Sequence, residues 1–556
     1  MLDLNKKYVD ETLDSKGFVC DYKLKCPDNF NFAYDVVDEI AKAEPDKLAL
    51  LWCGKDGSER RFTYADLRDY SNKTANMLAS KGIGKGDMVM VVLKRHYQFW
   101  FTILALHKLG AVIIPATFML ARHDVEYRAN SAGVKAIICT ADGDTAEHVD
   151  AAMPDCPTVH TKLIVNGTRE GWEAFDDAIS GFSTEMERVP THIDEPMLMY
   201  FSSGTTGNPK MVLHTHTYAL SHLTTAKYWH QINSESLHLT IADTGWGKAV
   251  WGKLYGQMFM ESTVFVYDFD KFSASDILGK IQKYKINSLC CPPTMFRFFL
   301  QEDLSKYDLS SLEHCSIAGE ALNPDVFNKW YAATGLKLME GFGQTETTAT
   351  VANIAGMSPK PGSMGKPMPH FAVDIVDDDG NSLPPGETGE VVIHIENGAP
   401  FGLFKEYYKD SELTAEAMNG GLYHTGDTAW RDEDGYYWYV GRKDDVIKSS
   451  GYRIGPFEIE SVLNEHPSVM ESAVTGIPDE LRGNLVKATI VLKDGVEPSE
   501  ELKKELQNYV KHETAPYKYP RVIEFVSSLP RTVNGKVRRA EIRRMDIQKQ
   551  KAVKAE

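Results

Sequence analysis

Short apolar runs alternate with helix-period stretches along most of this chain, and that alternation limits its fold more than any other feature. The strand-like runs are Met88–Leu93, Ala111–Pro115, Val134–Thr140 and Leu163–Asn166. Further on come Leu239–Asp243, Thr263–Asp268, Asn287–Pro292 and His314–Ala318. Strands separated by helical stretches imply α/β architecture with mixed, largely parallel sheets. At 556 residues the chain is too long for one core, so two or more domains are expected. From Thr63 an amphipathic pattern through Leu67, Tyr70 and Leu78 predicts a helix ending near Gly82. Residues 1 to about 60 give no clear pattern.

Within that alternation lies Tyr200-Phe201-Ser202-Ser203-Gly204-Thr205-Thr206-Gly207-Asn208-Pro209-Lys210. Apolar residues precede and follow it, so it reads as a loop between two strands. Gly204 and Gly207 free the backbone to turn its amides inward. Such a nest, with the hydroxyls of Ser202, Ser203, Thr205 and Thr206 beside it and Lys210 at its exit, holds an anion. A triphosphate is the natural guest, although a flexible surface loop would share this composition. No Gly-Lys-Ser/Thr ending makes it a Walker loop, and no GxGxxG opens a helix elsewhere.

Four other clusters carry chemistry. Ser316-Ile317-Ala318-Gly319-Glu320 ends a strand in a glycine turn, where open α/β sheets bind ligands, although taken alone a structural turn is the simpler reading. Glu340-Gly341-Phe342-Gly343-Gln344-Thr345-Glu346 packs an aromatic able to stack on a purine beside a carboxylate suited to Mg²⁺. Asp427, in Tyr423-His424-Thr425-Gly426-Asp427, is a fit acceptor for two ribose hydroxyls or an ordinary turn aspartate. Asp243-Thr244-Gly245-Trp246 opens one helix-like run in which Trp246, Val250, Trp251, Leu254 and Tyr255 share a face, either as core or as the wall of a pocket. Lys248 and Lys253 interrupt it. His214 and His216 stand two apart without a third ligand nearby, which favours packing over metal binding.

Past Gly441-Arg442-Lys443-Asp444-Asp445, helical segments Pro456–Glu465 and Ser499–His512 alternate with strands Glu471–Gly476, Lys487–Leu492 and Val522–Val526, a small α+β unit. It ends in Asn534-Gly535-Lys536 and a basic run that could be no more than a solubilising tail. Residues 356–400 read as a small β subdomain. The division expected is 1–441, a hinge at 442–445, and a mobile domain over 446–556.

Taken in order from about residue 197 to 539, these signatures resemble the acyl-adenylate-forming superfamily, and within it the medium-chain acyl-CoA synthetases. The resemblance implies a two-step reaction: carboxylate and MgATP give acyl-AMP and pyrophosphate, then CoA displaces AMP. It implies catalytic roles for Lys536, Thr345 and Glu346, with Glu346 holding the metal. It also implies nucleotide or pyrophosphate contacts by Ser202–Lys210, Gly319, Glu320, Gly341, Phe342, Gly343, Gln344, Asp427 and Arg442. Asp444 matches the family's hinge. Ser450, Gly451 and Tyr452 match the segment presented to CoA, and Arg453 and Arg482 are candidates for nucleotide or CoA phosphates. Acetate-type relatives place a tryptophan where this chain has Gly343, so a deeper pocket walled by Trp246 and Trp251 is expected. Lys248 leaves a polar acid open.

The cofactors and partners expected are ATP, Mg²⁺, CoA and a small carboxylic acid. A net charge of −17 argues against nucleic acid. The longest strongly apolar run, Phe99–Leu106, is too short to span a bilayer. Eight cysteines without a CxxC pair fit reduced thiols. The N-terminus lacks the apolar core of a signal peptide, which makes the cytoplasm the expectation, with the protein a monomer or homodimer. The competing readings are an adenylation enzyme loading a separate carrier protein, a luciferase-like oxidase and an AMP-binding sensor.

Overall fold

The structure is a computed structural model that describes residues 2–202, 208–450, 452–479, 482–531 and 536–555. Its apolar runs form two large sheets. The first has eight strands, in the order Glu406–Tyr407, Lys210–Thr215, Pro196–Ser202, Val112–Pro115, Met88–Val92, Val134–Thr140, Thr161–Val165, Glu173–Ala174. It is parallel from Pro196–Ser202 onward and antiparallel at the other edge. Met88–Val92 is buried at every position, as a strand covered on both faces must be.

The second sheet has nine strands. Its parallel centre runs Leu338–Gly343, His314–Ile317, Ser288–Cys291, Leu237–Thr240, Thr263–Asp268, Leu48–Gly54. Antiparallel strands close both edges. A third sheet of four antiparallel strands, Val373–Val376, Gly389–His394, Leu422–Arg431 and Tyr437–Arg442, follows. The α+β unit comes last: strands Val469–Asp479, Gly483–Leu492 and Val522–Phe525 under helices Pro456–Glu465 and Glu500–Glu513. The expected fold class holds.

Local chemistry fixes the element ends. Thr63 and Asp66 form a reciprocal cap on helix Tyr64–Ser80: the Thr63 hydroxyl accepts from Asp66 N at 3.1 Å and the Asp66 carboxylate accepts from Thr63 N at 2.8 Å. Gly245 lies where the two large sheets meet. A Cβ there would stand 2.2 Å from the Ala116 carbonyl carbon, which ends strand Val112–Pro115, so no side chain fits. All eight cysteines are free and six are buried. No helix among the described residues is long and apolar enough to cross a membrane.

Three expectations need correction. Residues 1–60 are not patternless. They hold a hairpin, Val9–Leu13 with Val19–Leu24, and strands Leu48–Gly54 and Glu59–Thr63. The hairpin escapes a periodicity reading because its first strand, Val-Asp-Glu-Thr-Leu, buries only Val9 fully. The run after Trp246 is two short helices, Gly247–Lys253 and Tyr255–Phe259, broken at Leu254 with φ −145° and ψ −88°. The basic tail is a helix, Arg539–Ala555. Its Arg539 pairs with Glu460 at 2.6 Å, and its Arg543 pairs with Asp445.

One buried carboxyl is set apart. Glu340, on strand Leu338–Gly343, accepts from Leu322 N at 3.2 Å through Oε1, while Oε2 has no partner among the described residues. Burial pushes its pKa up to about 8 from an ordinary 4.5. The folded state therefore holds a proton that the unfolded state releases. Its contribution is fully present below about pH 4.5 and is lost as pH rises through about 8. Glu340→Gln keeps the acceptor for Leu322 N and removes the titration. Thermal unfolding between pH 5 and 9 should show a smaller loss of stability with rising pH in Glu340→Gln than in the native chain; parallel curves would refute the buried-proton account.

Candidate active site

The glycine-rich loop joins the antiparallel strands Pro196–Ser202 and Lys210–Thr215, with Ser202 opposite Lys210. Ser203, Gly204, Thr205, Thr206 and Gly207 lie outside the described residues. At the loop's exit, the Lys210 ammonium sits 5.0 Å above the ring of Tyr407. Tyr407 pairs with Val212 on the neighbouring strand and donates its hydroxyl to Glu346 Oε1 at 2.9 Å. Glu346 is fixed again through its carbonyl, which accepts from Phe404 N at 2.7 Å. The Thr345 carbonyl accepts from His214 Nε2 at 2.8 Å. Desolvation holds His214 neutral, with its pKa lowered to about 4. His214 and His216 are buried, and no group of three or more His, Cys, Asp or Glu able to hold a metal occurs among the described residues.

The two glycines around Phe342 have a steric cause. A Cβ on Gly341 would lie 2.6 Å from the indole of Trp229, and one on Gly343 would lie 2.6 Å from that of Trp251 and 2.3 Å from the Thr348 carbonyl oxygen. Strand glycines mark close approach, and here two tryptophans approach. Trp229 donates to the Met339 carbonyl at 2.8 Å, and Trp251 donates to the Tyr218 hydroxyl at 3.0 Å. The two indoles meet edge to face at 6.3 Å and 82°. Gly343 therefore does not simply open space, because Trp251 occupies much of what the missing side chain leaves. Trp229 was not among the residues singled out from sequence; the glycine at 341 was the signal for a bulky neighbour.

Trp246 precedes helix Gly247–Lys253 and is half-buried. Lys248 donates to the Ala318 carbonyl at 2.7 Å, so its ammonium braces the strand end that carries Gly319 and Glu320. Gly319 has φ +104°, a conformation suited to glycine. Glu320 is exposed and accepts from Thr294 Oγ1 at 2.8 Å.

The best-defined cluster surrounds Asp427. Its strand neighbour across the ladder is Arg442. Gln344 donates to Asp427 Oδ2 and to the Thr425 carbonyl, the latter at 2.8 Å, and accepts from Tyr423 OH at 2.7 Å. Tyr439 donates to Asp427 Oδ1 at 3.0 Å, and Arg442 stands 3.4 Å from Oδ2. Phe342 lies 6.1 Å from Tyr439, tilted by 37°. Desolvation raises the Asp427 carboxyl above its ordinary range. Arg442, Tyr439, Gln344 and Lys536 oppose that rise.

The remaining residues form a second group. Ser450 adopts φ +48°. Its N–H donates to the Arg482 carbonyl at 2.8 Å, and its hydroxyl accepts from the Arg482 guanidinium at 3.3 Å. Tyr452 stacks on Tyr517 at 4.0 Å and 12°, both rings exposed. Gly451 and the side chain of Arg453 lie outside the described residues. Asp444 is 3.8 Å from Arg442. The structure therefore brings Lys210 and Glu346 together around Tyr407, and Gln344, Asp427 and Arg442 together with one another. Glu320 and Lys248 make other contacts, and Tyr452 and Arg482 pair with Tyr517 and Ser450.

Known proteins resemble the chain over most of its length. A family model described as AMP-binding enzyme matches residues 37–408, and one described as AMP-binding enzyme C-terminal domain matches 458–536. Acyl-coenzyme A synthetase ACSM3, mitochondrial, of Mus musculus is 42% identical over 536 residues, covering 95% of this chain and 92% of that protein. The crystal structure of the anthranilate CoA ligase AuaEII in complex with anthranoyl-AMP superimposes with a TM-score of 0.86 at 29% identity, covering 94% of this chain and 99% of that one. A benzoate CoA ligase from Burkholderia xenovorans LB400 gives 0.80 at 25%, covering 92% and 100%. The chain belongs to the AMP-binding enzyme family, among its acyl-CoA synthetases.

Proposed function

We propose that this chain is an AMP-forming acyl-CoA ligase in which Lys536 drives adenylation of a medium-chain, branched or small aromatic acid. The observation that carries the reading is the buried Asp427 carboxylate held by Gln344, Tyr439 and Arg442, with the positive charge of Lys536 acting to keep it ionised. A reaction joining two anions needs a cation at their meeting point. In the first step a carboxylate oxygen bonds to the α-phosphorus of ATP, and the bond to pyrophosphate breaks. Lys536 spans carboxylate and α-phosphate, while Ser202–Lys210 receives the leaving pyrophosphate. Asp427 and Arg442 hold the ribose, and Phe342 and Tyr439 flank the base with the Gly319–Glu320 turn.

Mg²⁺ belongs to this reading as well. The Glu346 carboxylate is an oxygen donor with one oxygen engaged by Tyr407. One carboxylate completed by substrate phosphates is how this hard cation is usually held, so the residues fit it. Bound there, the ion would neutralise phosphate charge; Tyr407 and the Phe404 amide orient Glu346 toward it.

In the second step the CoA sulfur bonds to the acyl carbon and AMP leaves. We propose that residues 446–556 rotate about Asp444 for this step, presenting Ser450, Gly451 and Tyr452 to CoA, with Arg453 and Arg482 toward its phosphates. The unit acts as a monomer or homodimer. A cytoplasmic location is part of the proposal, although ACSM3 is named mitochondrial.

Trp229 and Trp251 would wall the acyl pocket. Their edge-to-face contact and the aromatic acids named for the two ligases above support a flat, apolar slot over a long tunnel. Each buried CH₂ is worth about 0.8 kcal/mol, or about fourfold per carbon. Trp251→Ala should therefore move the optimum in CoA-dependent AMP formation toward longer acids by that factor per carbon, across a panel from acetate to decanoate with 2-methylbutyrate, benzoate and a dicarboxylate. An unmoved optimum would remove Trp251 from the pocket. CoA-independent AMP release with every acid would instead favour loading of a carrier protein.

The lysine is tested separately. Lys536→Ala should lower adenylation by about 10²–10³-fold, the usual cost of losing one group that stabilises transition-state charge. Thioester formation from supplied acyl-AMP should persist. Unchanged adenylation would overturn the proposed role.

A further inference from the structure

Helix Thr217–Thr224 runs directly into a π-helical turn, Thr225–Trp229, and the last residue of that turn is the tryptophan against Gly341. π-Turns have poorer hydrogen-bond geometry than α-helix and recur at functional sites, so tertiary contacts must hold this one. They come from the N-terminal hairpin. Glu11 and Tyr22 are cross-strand partners, directly opposite in register. The Glu11 carboxylate takes the Lys227 ammonium on Oε1 and the Tyr228 hydroxyl on Oε2. The Tyr22 hydroxyl bonds Thr224 Oγ1 at 2.6 Å, and its ring meets Tyr228 edge-on at 5.8 Å. One cross-strand pair thus grips three residues around the turn.

The same pair reaches the slot by a second route. The ring of Tyr22 lies 6.0 Å from that of His370. His370 bonds Ser221 Oγ at 2.7 Å, and Ser221 bonds Thr348 Oγ1 at 2.8 Å. Thr348 is the residue whose carbonyl faces Gly343. The hairpin pairs with no other sheet among the described residues, and an isolated two-stranded hairpin is marginal in water. Part of its order therefore comes from docking on the segment that ends in Trp229.

We propose that the N-terminal hairpin is a clamp that sets acyl specificity. Glu11 and Tyr22 are positioning residues that fix the Thr225–Trp229 turn and hence where Trp229 stands in the slot. The proposal rests on the reading of Trp229 and Trp251 as walls of the acyl pocket. Neither clamp residue touches substrate. Loosening them frees Trp229 to shift, which weakens discrimination among acids and leaves the nucleotide cluster around Asp427 untouched.

The test compares Glu11→Gln, Tyr22→Phe and the double variant with two references. Asp10→Asn perturbs the same hairpin at its exposed Lys25 pair, and Trp229→Ala alters the slot directly. The KM for acid, the KM for ATP, kcat, the acid-panel profile and thermal unfolding are measured for each. The clamp variants should raise the KM for the preferred acid by about three- to tenfold, as for loss of one or two hydrogen bonds, and flatten the profile. The KM for ATP and kcat should stay within about twofold, the pattern of lost ground-state binding to one substrate. Asp10→Asn should behave as the native chain. A fall in unfolding temperature with both KM values unmoved, or a joint rise of both, would overturn the clamp and leave a merely structural hairpin. A profile that Trp229→Ala changes but the clamp variants do not would defeat the clamp alone; one that Trp229→Ala also leaves unchanged would defeat the pocket reading beneath it.

Discussion

The site depends on one buried carboxylate. Asp427 is 4% exposed, and burying a charge is costly unless it is paired and hydrogen-bonded. Its partners come from distant parts of the chain: Gln344 from the turn after strand Leu338–Gly343, Tyr439 and Arg442 from strand Tyr437–Arg442, and the field of Lys536 from beyond residue 530. The second large sheet and the four-stranded sheet therefore converge on one group. Removing any partner would leave the carboxylate both desolvated and under-paired, which ties local stability to the geometry of this cluster.

Sequence reached the parallel core and the motifs. Val134–Thr140, Thr263–Asp268 and Pro456–Glu465 have the bounds expected of them, because buried parallel strands are continuous apolar runs and that helix opens on a proline after a glycine. It did not reach elements whose apolar content is low. The first hairpin strand buries one residue fully. Helix Arg539–Ala555 is rich in Lys and Arg, and its order rests on ion pairs with Asp445 and Glu460 that no periodicity encodes. Among the site residues, Gln344, Asp427 and Arg442 were found because they sit in dense motifs. Trp229, Tyr407 and Tyr439 were missed because they act as neighbours of motif residues, across strands or from another segment.

The glycines show how much of that hidden information is steric. Gly343 read in sequence as absent bulk, yet it and Gly341 are each required by an indole packed where a Cβ would stand. A glycine between strand residues reports on the far side of the pocket as much as on its own backbone. The inference from Gly343 to an open pocket left out Trp251, on the broken helix after Trp246, whose indole stands where a Cβ at 343 would lie.

The proposed pivot follows from how charges divide around it. Lys443 is tied back to the four-stranded sheet by Glu390 at 2.9 Å, and its N–H donates to the Gly426 carbonyl at 2.8 Å. Asp445 is tied forward to Arg543 and, at 3.9 Å, to Arg539, both on the last helix. Adjacent positions are thus clamped to opposite bodies, and Asp444 between them has a 3.8 Å contact with Arg442 too long for a hydrogen bond. Rotation concentrated at that residue would leave both clamps intact while breaking the Asp444–Arg442 contact and the bonds that Asp445 N and Val446 N donate to the Arg442 carbonyl, each at 3.0 Å. It would also free Arg442, a nucleotide-cluster residue, from one of its two carboxylate neighbours. The side chain that holds the ribose in this proposal would thereby be coupled to the backbone position that moves once the adenylate has formed.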